Sequence, residues 1–326
     1  MTAAVLNITN GDRALETLQD AGVTGEWLPW RDILHEGPVP AGLSLTELSA
    51  CRARFIAERH WSTPEQVQAD FAERDALLAG CGRFDAVRLW FEHDLYDQLQ
   101  LLQVLDALAE RLPANTALTL LCADEYLGEG RDGMRPRFEA LEAPVSRAQI
   151  QLAQRAWRAF REPDPEAWVH LLDEDTTALP YLDGTVRRVL EEYPQPGTGL
   201  SRTAYHALSL IAQGENRFSP LFAEYQKTED RRFLGDLGFH WLLDTLAQGD
   251  AALLATAGPQ PPVIDPRQTY ELTDHGRAVM AGRASAYPLL VDGRWIGGVE
   301  LRPERFWEWD PAAGLLIPRS VTTATG

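Results

Sequence analysis

The chain has 326 residues, of which 45% are hydrophobic, and it carries a formal net charge of −18 at pH 7. This length allows two or three domains with large cores, and the negative charge disfavours non-specific binding to nucleic acid or to anionic lipid. Cys51, Cys81 and Cys122 are isolated; they therefore fit neither a zinc site nor a disulfide framework, and a cytoplasmic location is expected. No apolar run approaches the roughly 20 residues of a membrane span, and we expect no signal peptide at residues 1–10.

The first predicted element is an apolar strand at residues 3–8, which a turn containing Gly11 and Asp12 connects to a helix. A glycine at this position lets backbone amides approach a ligand, and the start of the helix favours an anion. Gly11 and Asp12 are therefore candidate ligand-binding residues. A single glycine is not a dinucleotide-binding fingerprint, and an ordinary turn with an aspartate cap explains the same residues.

The second predicted strand, at residues 25–30, also ends in polar side chains. Arg31, Asp32, His35 and Glu36 follow it. If the first two strands are parallel neighbours, their polar ends converge on one edge of the sheet. Arg31 and His35 are therefore candidate ligand-binding residues, and Asp32 is a candidate catalytic residue.

Two helices are predicted next, at residues 45–59 and 64–78, and Arg74 lies on the second. An arginine on a helix most often forms ion pairs on a solvated face. Arg74 is kept as a ligand-binding candidate because it could instead point into the site and neutralise an anion.

Residues 89–102, with the sequence LWFEHDLYDQLQLL, form the stretch around which the rest is predicted to be organised. The apolar run before it is typical of a buried parallel strand, and leucines at helical spacing follow. Glu92, His93 and Asp94 lie between strand and helix, where ligands bind in open α/β sheets. Asp94 could serve only as a helix cap and Glu92 only as a first-turn acid. A histidine between two acids is more than capping requires.

A fourth apolar strand at residues 118–122 is also followed by acids. The repeated strand–acid–helix pattern predicts an α/β fold, with a Rossmann-like doubly wound parallel sheet over residues 1–143. Amphipathic patterns predict a helical segment over residues 144–196, with its last helix at residues 185–193 and without obvious chemistry.

The region after a Pro- and Gly-rich linker at residues 194–199 differs in pattern. Three helices, the first capped by Ser201, two short strands and a last helix capped by Thr273 predict a C-terminal winged-helix-like α+β domain over residues 197–318. Residues 294–309 predict two further strands around residues 302–305, which form a terminal β-hairpin, and residues 319–326 are predicted to be disordered. Residues 199–246 contain five basic and six acidic side chains, which argues against DNA binding. The apolar third helix favours protein contacts or dimerisation instead.

Six separated motifs resemble bacterial proteins that carry the domain of unknown function 1835: NGDRALETLQDAG, LPWRDILHEGPVP, LWFEHDLYDQLQLLQ, GLSRTAYHAL, FLGD and RWIGGVEL. The resemblance covers nearly the whole chain, and it implies a Rossmann-like first domain without an assigned activity. The residues that match the family motifs are Gly11, Asp12, Asp32, Glu92, His93, Asp94 and Gln98. Asn7 lies near the position of a family histidine, and Arg13 replaces a family serine, so any role of those two residues is in doubt here.

The predicted function is binding of a small anionic, nucleotide- or phosphate-like ligand at the strand ends, by a metal-assisted hydrolase or phosphoryl-type enzyme. His93 or His35 is the candidate general acid or base. Asp32, Glu92 and Asp94 are expected to orient it or to hold a divalent metal through oxygen atoms. The candidate ligand-binding residues are Gly11, Asp12, Arg31, His35, Arg74 and Gln98.

Two alternatives remain open from the sequence. One is a ligand-sensing regulator whose winged helix binds DNA or a protein partner, and the other is a non-catalytic interaction scaffold. No membrane partner is expected, and a homodimer is left open. Strand order is not encoded in these patterns, so the sequence leaves open whether the polar strand ends meet.

Overall fold

The computed structural model describes residues 3–130, 133–259, 261–290 and 293–320. It confirms the predicted α/β class, because its centre is a five-stranded, mostly parallel sheet. The strands are β1 (Val5–Thr9), β2 (Glu26–Pro29), β3 (Ala86–Phe91), β4 (Ala117–Cys122) and β5 (Ala143–Pro144). They lie in the order β2-β1-β3-β4-β5, with the first four parallel and β5 antiparallel to β4.

Helices cover both faces of this sheet. They are α1 (Asp12–Asp20), α2 (Leu45–Glu58), α3 (Pro64–Ala79), α4 (Leu95–Ala109) and α5 (Met134–Ala140). Side chains of a strand alternate between the two faces, so Trp90 of β3 packs against α1 and α5 while Leu89 packs in the core that contains α4. Burial on both faces explains why β3 is almost entirely apolar.

The strand order creates a reversal in the path of the chain. From β1 the chain moves to β2 on one side, and it then returns to β3 on the other side of β1. The carboxyl ends of β1 and β3 are therefore neighbours at the point where the direction of winding changes. In open α/β sheets, this is the position at which a crevice for ligands forms.

Three helices pack beside α4 on the same core. They are α6 (Arg147–Arg161), α7 (Glu166–His170) and α8 (Leu182–Leu190). The helix predicted at residues 185–193 thus begins and ends three residues earlier. None of the described helices combines the length and the apolarity needed to cross a bilayer.

The next region has a hydrophobic core of its own, built from residues between Leu200 and Ala286. Its elements are α9 (Arg202–Ala212), α10 (Phe218–Gln226), α11 (Asp236–Leu246), β6 (Leu254–Thr256), β7 (Tyr270–Leu272), α12 (Asp274–Met280) and α13 (Tyr287–Leu290). Strands β6 and β7 form an antiparallel pair. Ser201 and Thr273 cap α9 and α12 through their hydroxyl groups, which confirms both predicted helix starts.

The last region corrects the sequence analysis, which expected two strands. Four are present, in two antiparallel hairpins: β8 (Arg294–Ile296), β9 (Val299–Leu301), β10 (Phe306–Asp310) and β11 (Leu315–Arg319). The first predicted strand is divided by a turn at Gly297 and Gly298, where a Cβ atom would overlap backbone carbonyls of α6 and its end. Of the tail predicted to be disordered, Arg319 ends β11, and residues 321–326 lie outside the described residues.

These hairpins pack against the first core rather than the second. Ile296, Trp307 and Trp309 are buried in the same cluster as the sheet and α4. The chain therefore builds the first core, then the second, and finally returns to the first.

Candidate functional site

Three buried carboxylates lie together at the carboxyl end of β3. Glu92 and Asp94 follow the strand directly, and Asp97 lies in the first turn of α4. One oxygen from each falls within 4.8 Å of the others. Asp94 also caps α4, because its Oδ1 accepts hydrogen bonds from the backbone N–H groups of Tyr96 (2.9 Å) and Asp97 (3.2 Å). Asp94 is thus both the cap of α4 and a member of the carboxylate cluster.

Asn10, just past the end of β1, joins this cluster from the neighbouring strand. Its Nδ2 donates to Asp97 Oδ2 at 2.7 Å and to Glu92 Oε1 at 3.2 Å. Glu92 Oε1 also accepts from the backbone N–H of Leu127 (2.7 Å), and Asp97 Oδ1 accepts from that of Glu92 (2.7 Å). Tyr96 donates from its hydroxyl to the Asn10 carbonyl. The carboxylates are therefore held in fixed positions at the reversal between β1 and β3.

The three groups cannot all be charged at low cost. Burial, reinforced by the charge of Asp94, raises the pKa of Glu92 to about 8. Burial likewise raises the pKa of Asp94 to about 7 and the pKa of Asp97 well above its usual range. Buried carboxylates this close together must share protons or a cation. Because the donors are all oxygen atoms, the set suits a hard cation such as Mg²⁺ or Ca²⁺.

His93 lies within this segment and is 7% exposed. Its ring is 5.0 Å from that of Tyr126 and 5.9 Å from that of Tyr181. Its Nδ1 is buried without a hydrogen-bond partner among the described residues. Burial and the nearby Arg231 lower the pKa of His93, so the imidazole is neutral at pH 7 and can accept a proton.

A cavity of about 240 Å³ begins at His93 and extends between α8 and the loop that follows α10. Four arginines and three acidic residues line it. Arg188 binds Glu229 at 2.7 Å, whereas Arg231 forms no ion pair within the part of the chain described. Arg231 Nη1 instead donates to the His93 carbonyl at 3.2 Å, and its guanidinium lies over the ring of Tyr181. Arg231 is therefore the cation placed to meet an anion beside His93.

Asp32 and Arg74 lie apart from the carboxylate cluster. Asp32 is fully buried and accepts from Arg52 Nε at 2.9 Å, and Arg74 Nη1 is 3.9 Å from its other oxygen. Arg52 also donates to the carbonyls of Ile33, Glu36 and Pro38. Asp32 therefore anchors the loop after β2 to α2. The guanidinium of Arg74 lies 4.4 Å from the Trp30 ring.

Arg31 is also engaged, in exposed ion pairs with Asp12 at 2.7 Å and with Asp70 at 3.3 Å. Gly11 precedes α1 beside the Tyr96 hydroxyl. Asp12 is the first residue of α1 and does not cap it. Gln98 is buried and donates to the Glu92 carbonyl at 2.6 Å, so it supports the cluster from behind.

His35 lies in another place, a larger cavity between the two cores. Its ring contacts those of Tyr96 and Phe233 edge-on. The Tyr96 side chain connects this histidine to the cluster, because its ring contacts His35 and its hydroxyl donates to the Asn10 carbonyl. The structure therefore separates the predicted residues into four groups: the carboxylate cluster with His93, the buried pair of Asp32 and Arg74, the exposed ion pair of Arg31 and Asp12, and the cavity that contains His35.

Sequence reasoning missed three residues of the site. Asp97 follows Asp94 at the i+3 position of a helix start, so a reading of the first turn could have found it. Asn10 directly follows β1 and could have been found with the strand order. Arg231 is 138 positions from His93, and no local pattern connects them.

A comparison with models of known protein families and with curated proteins found no match to this chain. The resemblance to proteins with the domain of unknown function 1835 therefore stays a prediction from the sequence motifs.

Proposed function

We propose that this protein binds a divalent cation through Glu92, Asp94 and Asp97, together with a small anionic ligand, at the switch point of a Rossmann-like sheet. The carboxylate cluster is the observation that carries the proposal. The cluster offers three oxygen donors to a cation, its three side chains are buried, and the pKa of each carboxyl is raised. It also lies at the edge of the sheet where ligands bind in open α/β folds. A bound cation would remove the cost of charging the three groups.

The cavity beside His93 supports the anionic ligand. Arg231 reaches it without a carboxylate partner in the described ranges, and it is close enough to Asp94 to lower the pKa of that carboxyl in part. An anion such as a phosphate would lie between a cation at the carboxylates and this guanidinium. The arginines predicted to neutralise the ligand, Arg31 and Arg74, are replaced in this role by one from the second core.

The chemistry that fits this set is metal-assisted hydrolysis or a phosphoryl-type reaction. A cation at the carboxylates would supply charge stabilisation for an anionic reacting group. His93 is neutral and buried, and its Nδ1 has no partner in the described parts of the chain, so it suits a general base. Tyr126 and Tyr181 hold its ring and exclude water from one side.

Titration calorimetry with Mg²⁺, Mn²⁺ and Ca²⁺ tests the cation site. We expect at least one to bind the wild type, and Asp97→Asn to weaken that binding by tenfold or more. Asp124→Asn is the matched control, because Asp124 is an exposed acid after the neighbouring strand β4. Absence of binding by all three cations, or equal loss in both variants, would contradict the proposal.

The anion is tested separately with inorganic phosphate in the presence of the cation that binds. Arg231→Met should weaken phosphate binding while leaving cation binding within about twofold. Arg187→Met is the control, since Arg187 lines the same cavity but is paired with Asp183 at 2.9 Å. Equal phosphate affinity in the wild type and Arg231→Met would remove Arg231 from the site.

A second candidate function is a ligand-sensing regulator, in which residues 201–280 form a winged-helix-like unit. The loop between α10 and α11 favours it, because Arg231 and Arg232 of this loop contact His93 and Tyr126 at the strand ends. Binding of a ligand at the site would thus change the contacts that this winged-helix-like unit makes with the strand ends. The third helix, α11, packs towards the first core through Trp241 and Gly238, which favours a protein partner over DNA. Retention of the chain on duplex DNA at low salt, lost on adding ligand, would instead support a DNA-binding regulator.

A further inference from the structure

A cavity lies between the two cores, and the proposed cation site does not use it. Its volume is about 560 Å³, within the range of roughly 300–1,000 Å³ typical of small-molecule sites. Parts of the chain that are remote in sequence form its walls, among them the loop after β2, the end of α2, helix α11 and strand β8. A site at such a junction is a common position for a ligand.

Several polar atoms in this wall are buried without a partner. They are both ring nitrogens of His35, Oε1 of Glu36, Nε1 of Trp241 and Nη1 of Arg294, and none has a hydrogen-bond partner among the described residues. The His35 side chain is only 6% exposed. Roughly nine in ten buried polar groups of native proteins are hydrogen-bonded. Four side chains around one cavity therefore carry polar atoms without a hydrogen-bond partner in the described ranges, although His35 Nε2 and Glu36 Oε1 lie 3.8 Å apart. This indicates that the cavity itself supplies the partners.

The wall is shaped to keep these groups in place. A Cβ atom at Gly238 would overlap Glu36 Oε1, so the glycine of α11 leaves the space that this carboxyl needs. Arg294 is fixed by its other nitrogen, which donates to Glu192 at 2.8 Å, and this leaves Nη1 free. The ring of His35 is held between those of Tyr96 and Phe233. Glu36, Arg294 and His35 are thus held in fixed positions around the cavity by their neighbours.

The charges and surfaces of the wall define the chemistry of the ligand. Two arginines and three glutamates line the cavity. A ligand with a permanent negative charge would therefore gain little electrostatic stabilisation there. The neutral imidazole of His35 offers one donor and one acceptor, whereas Trp241 and Arg294 offer donors. Aromatic side chains provide flat apolar surface: Phe55, Phe233, Trp241 and Trp295. An uncharged, planar nitrogen heterocycle with donors and acceptors along its edge satisfies all of these conditions.

We infer that this cavity binds a nucleoside, with its base against the aromatic side chains and its hydrogen-bonding edge towards His35, Glu36 and Arg294. The volume accommodates a base with its ribose. The site is distinct from the carboxylate cluster, since the Tyr96 side chain separates His35 from Asn10.

Titration calorimetry with adenosine, guanosine, cytidine and uridine tests this inference on the full chain. At least one should bind the wild type, and His35→Phe, which keeps the ring but removes both nitrogens, should weaken it at least tenfold. His170→Phe, the same substitution at an exposed position, should leave the affinity unchanged. Asp97→Asn should also leave it unchanged, which separates this site from the proposed cation site.

A second variant covers the case in which His35→Phe does not fold. Leu289→Trp adds bulk to the cavity wall and should abolish nucleoside binding while circular dichroism shows a native fold. Three results would overturn the inference: no binding of any of the four nucleosides at millimolar concentration, undiminished binding in both cavity variants, or loss of binding in Asp97→Asn.

Discussion

The charge of Glu92 should make the stability of the cation-free protein fall as pH rises. The pKa of Glu92 in the folded state is raised by burial to about 8 from an ordinary value of 4.5. For an acid whose folded pKa is raised, the stabilisation is present below pH 4.5 and is lost as pH rises through 8. Glu92 is only 5% exposed, and at 1.36 kcal/mol per pKa unit the full loss for the rise of its pKa from 4.5 to about 8 is about 5 kcal/mol. Of this, about 4 kcal/mol falls between pH 5 and pH 9.

Glu92→Gln should remove this loss. The amide oxygen of glutamine can still accept from Leu127 and Asn10, whereas no charge forms at high pH. At ~2.1 cal/mol/K per residue over 326 residues, 4 kcal/mol corresponds to roughly 6 °C. We expect the midpoint of thermal unfolding of the variant, relative to wild type, to rise by about that amount between pH 5 and pH 9.

The assay is differential scanning fluorimetry in chelator-containing buffers, with Glu271→Gln as the control because Glu271 is exposed on β7. The control should follow the wild type at every pH. A difference between Glu92→Gln and wild type that stays flat from pH 5 to pH 9 would refute the reasoning, because it would mean that Glu92 ionises as easily in the folded as in the unfolded chain.

Three further predictions concern stability. Arg52→Met removes the guanidinium that is hydrogen-bonded to the buried Asp32 and leaves only the more distant Arg74, at 3.9 Å, so urea unfolding should show a loss of about 3–5 kcal/mol; a loss below ~1 kcal/mol would contradict this. Gly298→Ala should cost about 1–3 kcal/mol because its Cβ would overlap a backbone carbonyl, whereas Gly235→Ala, with open space around it, should be nearly neutral in the same assay. Despite burial, neighbouring guanidinium groups lower the pKa of Glu192 to about 2, so its contribution is present above pH 4.5 and is lost as pH falls through 2; the deficit of Glu192→Gln in thermal midpoint should shrink from pH 7 to pH 2.

The features predicted well from the sequence are those that neighbouring residues determine. The passage from β3 into α4 was found because an apolar run, a capping aspartate and helical leucines follow one another within about twenty residues. Ser201 and Thr273 were found as caps for the same reason. Local preference and tertiary packing agree at these positions, so the pattern alone identifies them.

The composition of the site depends on contacts that local patterns do not encode. Asp32 and His35 follow the same strand, yet Arg52 draws Asp32 into the core while the turn between them directs His35 to another cavity. Arg231 reaches His93 from the second core. Gly297 and Gly298 were interpreted as part of one strand, because the carbonyls of α6 that require a tight turn there are remote in sequence.

The second core interrupts the first in the manner of an inserted domain. The backbone N–H of Ala286 donates to the carbonyl of Thr198 at 2.8 Å, so the two ends of the interrupting segment meet. Surface junctions of this kind accept insertions and deletions readily. A shortened chain in which a tight turn replaces residues 199–285 would keep every strand of the sheet and both C-terminal hairpins. It would also expose His93 and His35 to solvent together, because Arg231 and α11, which close the two cavities, both belong to the insert.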